Sequence, residues 1–234
     1  MREIVFDTET TGLDNQTDRI IEIGCIELEN QFPTGRSLHL FINPDGRKVH
    51  PDALAVHGIT DAFLADKPVF AEVAQEIVAF FDGAHYVAHN ASFDMGFLNT
   101  EYQRVGIPVV APDRVVDTLS LARRRHPMGP NSLDALCRRY GIDNSHRTKH
   151  GALLDAELLT DVYIEMLGGR QAALGLSSNE DTTARRSADE EVVAIGQRPR
   201  PLPQRVTEAE LQAHAALIDR IGDEAIWRKV PGGN

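Results

Sequence analysis

The chain has 234 residues, 42% hydrophobic and 25% charged, the composition of a soluble globular protein of one or two domains, which excludes collagen-like, wholly disordered and membrane-embedded classes. No apolar run reaches the ~18 residues that span a bilayer, and MREIVFDTET opens acidic and strand-like where a secretory signal would be basic and then apolar, so a cytoplasmic protein with no membrane partner is expected. The net charge of -11 argues against gripping nucleic acid by bulk electrostatics.

Alternating apolar positions predict strands over Ile4–Phe6, Arg19–Leu28 and Leu38–Ile42, an antiparallel meander ending at Asn43-Pro44. The period then lengthens: Val69, Phe70, Val73, Ile77, Phe80 and Phe81 recur at helical spacing until Gly83 stops the run. A short strand at His85–Ala88 follows, then a helix from an N-cap at Ser92 to Gly106, a strand at Val115-Val116 and a helix near Thr118–Arg125. Two further helices fit 132–140 and 151–167. Strands first, then alternating helix and strand, predict an α/β fold, a mixed sheet flanked by helices, with a core of about 170 residues. Cys25 and Cys137 stand in apolar stretches outside any CxxC pair and read as buried reduced thiols.

Composition shifts after Gly168-Gly169. The stretch SSNEDTTARRSADEE is polar and lacks aromatics, so 177–200 reads as linker. Apolar content returns in 202–230, where Thr207 and Glu210 form a T-x-x-E capping box and Leu211, Ala215, Ile218 and Ile221 line one helical face, with Trp227 just beyond. A lone amphipathic helix of that length is marginal and needs a partner surface.

The chemistry begins at Asp7 and Glu9, whose i, i+2 spacing at a strand end points both carboxylates to one face. At ~4 Å two such charges repel by about 1 kcal/mol in water and about 4 kcal/mol at an effective dielectric of 20, so a proton or a cation must resolve them. Hard divalent ions such as Mg²⁺ and Mn²⁺ favour such oxygen ligands. D-x-E also occurs at Asp155–Glu157 and Asp189–Glu191, and a solvated strand end is the bland alternative. Asp94 in AHNASFD and Asp155 in HGALLDAELL each open a predicted helix, where an acid can serve a site or complement the helix dipole. His150 and His89 each stand five residues before an acid; Lys149 and Arg147, bases suited to a phosphate backbone, favour His150 as the proton acceptor. They belong to a basic arc: residues 1–122 carry 8 Lys and Arg against 19 Asp and Glu, whereas 123–149 carry seven bases against Asp134 and Asp143. GxxxxGK[ST], G-x-S-x-G and H-E-x-x-H are absent.

DTETTGL at 7–13, VHGIT at 56–60, HNASFD at 89–94, VVDT at 115–118 and HGALLDAELL at 150–159 resemble, in order and spacing, the DEDDh 3′-to-5′ exonucleases, and among them the proofreading subunits of bacterial replicative DNA polymerases. The resemblance implies a ribonuclease H-like fold over 1–170 and two Mg²⁺ or Mn²⁺ ions held by Asp7, Glu9 and Asp155, with Asp94 completing the acidic set and His150 as general base. It implies that His57 and the backbone near Thr10 hold the 3′-terminal nucleotide, and that Asp52, often Glu in relatives, contacts substrate. It makes 171–200 a flexible linker in which Gln171, Leu174 and Leu176 match a sliding-clamp-binding peptide, and 201–234 a tail docking on the polymerase (alpha) subunit. A small third subunit on the core is admitted as well. The implied activity is removal of mismatched 3′-terminal nucleotides from single-stranded or frayed DNA. The alternatives are an RNA-trimming exonuclease of the same family, which has no need of a docking tail, and a catalytically silent scaffold joining polymerase and clamp, against which five filled catalytic positions argue.

Overall fold

Alternation along the first strand sets the architecture. β1 (Arg2–Thr10) sends Ile4 and Phe6 into one apolar core and Val5 into another on the opposite face. It pairs antiparallel with β2 (Ile20–Glu29), and β2 with β3 (Phe32–Phe41), giving the expected meander. β4 (His85–Ala88) and β5 (Val115–Asp117) join parallel on the other side, for a sheet order β3-β2-β1-β4-β5. The β1–β4 register covers only Glu3, Ile4 and Val5, so the end of β1 runs on past its parallel neighbour. The computed structural model describes residues 1–147, 149–169 and 206–222. The expected linker at 171–200 with Gln171, Leu174 and Leu176, and Trp227 in the tail, lie outside the described residues.

Helices cover both faces, a mixed α/β arrangement consistent with a ribonuclease H-like fold. α3 (Phe70–Phe81) and α4 (Ala91–Arg104) pack Phe70, Ile77, Phe81, Phe97 and Leu98 onto the Ile4 and Phe6 side. α5 (Thr118–Arg125), α6 (Leu133–Tyr140) and α7 (Ala152–Leu167) pack Ala122, Leu136, Leu159 and Val162 onto Val5 and Val87. Cys25 and Cys137 are buried free thiols, as expected. The first turn of α7 lies directly on β2 at Gly24: a Cβ there would stand 2.2 Å from the backbone nitrogen of Leu153 and 2.3 Å from its Cα. Gly24 is also the register partner of Asp7, so this close approach sets the start of α7 beside the functional end of β1. Further along α7, Tyr163 donates a 2.7 Å hydrogen bond to the buried carboxylate of Glu3.

Several features differ from expectation. β3 begins at Phe32, six residues before the expected Leu38, its exposed first half showing no apolar alternation from which to read a strand, and β1 runs on past Phe6 to Thr10 through polar residues. α4 starts at Ala91 with Asn90 in the left-handed region (φ 63°), not at a Ser92 cap, and ends at Arg104, short of Gly106. The reason is tertiary: Asp117 at the end of β5 accepts hydrogen bonds from the backbone N–H groups of Asn90 (3.1 Å) and Ala91 (3.3 Å), and from Leu119 N–H (3.1 Å) and Ser120 Oγ (2.6 Å). One carboxylate therefore caps α4 and α5 together. Two short helices, α1 (Pro51–His57) and α2 (Asp61–Leu64), break the segment before α3. α1 closes on Gly58 at φ 76°, and Thr60 Oγ1 caps α2 by accepting from Phe63 N–H at 3.2 Å. α8 (Glu208–Ile221) belongs to a second unit and opens with the expected capping box, Thr207 N–H donating to Glu210 Oε2 at 2.8 Å. Its Leu211, Leu217 and Ile221 are exposed.

Gly24→Ala should cost about 3 kcal/mol in denaturant unfolding, because the methyl group meets backbone with no freedom to yield. Burial alone would raise the Asp117 carboxyl, but the hydrogen bonds from Ser120, Ala91, Leu119 and Asn90 outweigh it and hold it below its ordinary value. The stabilisation this confers is present above the unfolded carboxylate value, about 3.9, and is lost as pH falls through the lower folded value. Asp117→Asn should therefore cost about 1–2 kcal/mol at pH 7 and give a shallower loss of melting temperature below about pH 4 than the unsubstituted chain.

Candidate active site

The end of β1 gathers acids from three elements. Asp7 and Glu9 project from β1 on the face that carries α7, Glu9 buried and Asp7 half-buried. Asp94, in the first turn of α4, accepts from the backbone N–H of Thr8 at 3.1 Å and from Thr8 Oγ1 at 2.7 Å, filling the ladder position that β4 leaves vacant. Asp155, in the first turn of α7, is 3% exposed. His150 precedes that helix on an exposed loop and brings Nδ1 within 3.2 Å of Asp155 Oδ2. Ligand atoms of Glu9, His150 and Asp155 all lie within 4.8 Å of one another, and a cavity of about 250 Å³ is lined by Asp7, Glu9, Thr10, His57, Asp94 and His150.

Crowding makes these carboxyls hard to ionise together. Burial, then the charges of Asp94, Glu9 and Asp155, push Asp7 well above the usual carboxylate range. Glu9 is pushed up to about 8 by burial, by Glu22 facing it across the β1–β2 ladder, and by Asp155 and Asp94. Burial also raises Asp94, against the hydrogen bonds from Thr8 that favour its ionised form. Carboxylate oxygens with one imidazole are a donor set that suits a divalent cation, and a bound cation would offset the burial and repulsion that raise Asp7 and Glu9.

The other expected site residues are distributed around this centre. Thr10 lines the cavity and donates from Oγ1 to the Gly12 carbonyl at 2.6 Å. His57 is buried, held by Ile59 N–H donating to its Nδ1 at 2.9 Å, while its Nε2 has no hydrogen-bond partner among the described residues. Burial holds the His57 ring below its ordinary pKa, an effect reinforced by the charges of Lys149 and His150 and opposed by the Thr10 backbone. Asp52 is not gathered with the acids: it is exposed in an adjoining cavity of about 410 Å³ with Leu13, Arg47 and His50. His89 reaches Thr118 Oγ1 and the Asn131 carbonyl, both at 2.9 Å, which ties up both ring nitrogens and leaves His150 as the ring beside Asp155. Sequence reasoning missed Thr8 and Glu22, polar neighbours that only register and topology bring to the acids. It also placed Arg147 as a phosphate-facing base, whereas the guanidinium turns inward onto Asp155.

This geometry can be set beside known proteins. The sequence model of the RNase_T exonuclease family matches residues 4–163. The DNA polymerase III subunit epsilon of Haemophilus influenzae is 43% identical over 100% of this chain and 97% of its own length, and that of Escherichia coli K12 is 41% identical over 97% of each. The chain belongs to the DEDDh exonuclease family, among the epsilon subunits of DNA polymerase III. Among solved structures, exonuclease X in complex with 5′-overhanging duplex DNA is similar, with a TM-score of 0.53 and 31% identity over 71% of this chain and 90% of that one. The family match runs from β1 into α7, and so takes in every element that supplies an acid to the cluster.

Proposed function

We propose that this chain hydrolyses DNA from its 3′ end, removing mismatched terminal nucleotides as the proofreading subunit of a bacterial replicative polymerase. The observation that carries this is the convergence of Asp7, Glu9, Asp94 and Asp155 from three elements with His150 on the adjacent loop. Asp7, Glu9 and Asp155 would hold two Mg²⁺ or Mn²⁺ ions, with Asp94 completing the negative charge. When bound, such a pair lowers the pKa of an attacking water and offsets charge on the leaving oxygen. His150, which lines the cavity from an exposed loop, would accept the proton of an attacking water. His57 and the Thr10 backbone bind the terminal nucleotide, while Asp52, in the adjoining cavity, meets the strand beyond it.

Partners follow the same division. The exposed apolar residues Leu211, Leu217 and Ile221 of α8 suit docking of 201–234 on the polymerase (alpha) subunit, and Gln171, Leu174 and Leu176 are assigned to the sliding clamp. No helix among the described residues is long and apolar enough to cross a membrane.

With Mg²⁺ or Mn²⁺, the purified chain should shorten 5′-labelled single-stranded DNA stepwise, in preference to the matching RNA. Asp7→Ala should abolish this and His150→Ala should slow it by about 10²–10⁴-fold, both with unchanged circular dichroism. Undiminished turnover in either variant would refute the site, and preference for RNA would move the chain to the RNA-trimming branch. Removing 201–234 should leave hydrolysis intact and abolish co-purification with the polymerase subunit; a truncated chain that still co-purifies would refute the docking assignment.

A further inference from the structure

Arg147 sits in the loop between α6 and α7, and its guanidinium is almost wholly committed inward. Nε donates to Asp155 Oδ1 and Nη2 to Asp155 Oδ2, both at 2.6 Å, while Nη1 donates to Asp134 Oδ1 at 2.9 Å. Nη2 also stands 2.8 Å from His150 Nδ1. The Arg147 side chain is 8% exposed and that of Asp155 4%. The planar fork therefore covers both oxygens of Asp155. Asp7, Glu9 and Asp94 line the cavity, with His150. The positive charge thus stands on Asp155, a carboxylate that a divalent ion would also use, and beside His150.

We propose that Arg147 is a resident cation of the active site that competes with the divalent metal for Asp155, so that metal binding requires the fork to release Asp155 and His150. This rests on reading Asp155 as a metal ligand. In the metal-free chain Arg147 supplies the counter-charge that lets the acidic cluster stay folded. It also holds His150 in an unproductive form. A guanidinium only donates, so His150 Nδ1 accepts, and a neutral ring accepting at Nδ1 carries its hydrogen on Nε2 and has no free lone pair for a water proton. With the fork withdrawn, Asp155 Oδ2, 3.2 Å from Nδ1, is placed to accept an Nδ1 hydrogen, the tautomer that frees Nε2. Arg147 acts here through Asp155 and His150, as a positioning residue.

The alternative role is an outer support that stays on Asp155 when the metal is bound; removing such a support weakens metal binding by about 10–100-fold. The two roles predict opposite signs. Mn²⁺ binding to the full chain, followed by electron paramagnetic resonance of the free ion, should tighten by about tenfold or more in Arg147→Gln, because a competing positive charge is gone. The melting temperature of the metal-free variant should fall, with the deficit shrinking at saturating Mn²⁺. Unchanged or weaker binding in Arg147→Gln would overturn the proposal. Should that variant fail to fold, Arg147→Lys keeps the charge without the fork and should still bind Mn²⁺ more tightly than the unsubstituted chain. In the unsubstituted chain, Mg²⁺ should move the Arg147 Nε–H resonance and speed its exchange with water. An unmoved Arg147 signal alongside shifted amides of Glu9 and Asp155 would sink the competition while sparing the metal site; no shift at any of them would remove the site and the proposal together.

Discussion

The close approach of α7 to the sheet is the constraint on which the rest depends. Only a residue without a Cβ lets backbone of Ala152 and Leu153 lie on β2 at Gly24, and Gly24 stands opposite Asp7. The first turn of α7 is thereby fixed beside β1, and with it Asp155. A second constraint acts from the other side of the strand: Asp117 caps α4 and α5 at once, which fixes where Asp94 enters, and Thr8 holds the Asp94 carboxylate with two hydrogen bonds. The acids thus come from regular elements locked by packing, the condition for holding them within a fraction of an ångström, whereas His150 comes from a loop that has room to adjust.

The site is costly to the fold. Raising Glu9 from its ordinary value to about 8 corresponds to an energy on the order of 5 kcal/mol, several times what a single hydrogen bond contributes. The two bonds from Thr8 offset only part of the burial penalty at Asp94, and those at Asp155 come from a guanidinium. The apolar packing of α7 through Leu159 and Val162, with Tyr163 on Glu3, overrides the remainder. This is the pattern of a functional site held in place by the structure around it rather than by its own interactions.

How much was legible follows from the range of each signal. Period-two alternation in β1 and β2 and the 3.6 period of α3 are local, and they located those elements to within a few residues. The pairing of Asp7 with Glu9 is equally local, while the choice of Asp94, Asp155 and His150 over other acids and His89 leaned on motif order, because their convergence is a property of topology. The cap at Asn90 escaped the sequence reading because its partner, Asp117, is 27 residues away. α1 and α2, of seven and four residues, are too short to show a period. Arg147 escaped in another way: a basic residue in a basic arc reads as surface, and nothing local distinguishes an arginine facing phosphate from one turned onto a buried carboxylate.

Charge and tethering complete the functional logic. With a net charge of -11 the chain is repelled by DNA at long range, which would disable an enzyme that had to find its substrate by diffusion. On the proposed reading, in which 201–234 docks the nuclease on a polymerase, the effective concentration of the primer end would be set by the tether, in the millimolar range for short flexible ones, and strong affinity would be unnecessary. Weak intrinsic binding then serves selectivity. On the same reading, a cavity of about 250 Å³ lined by Asp7, Glu9 and Asp94 would take a terminal nucleotide separated from its partner strand, and a correctly paired end would first have to meet the energy of unpairing. A strong basic grip would contribute that energy for paired and mispaired ends alike and erase the difference between them. The acidic body leaves the discrimination to the DNA itself, since a mismatched end frays without help and a matched one does not.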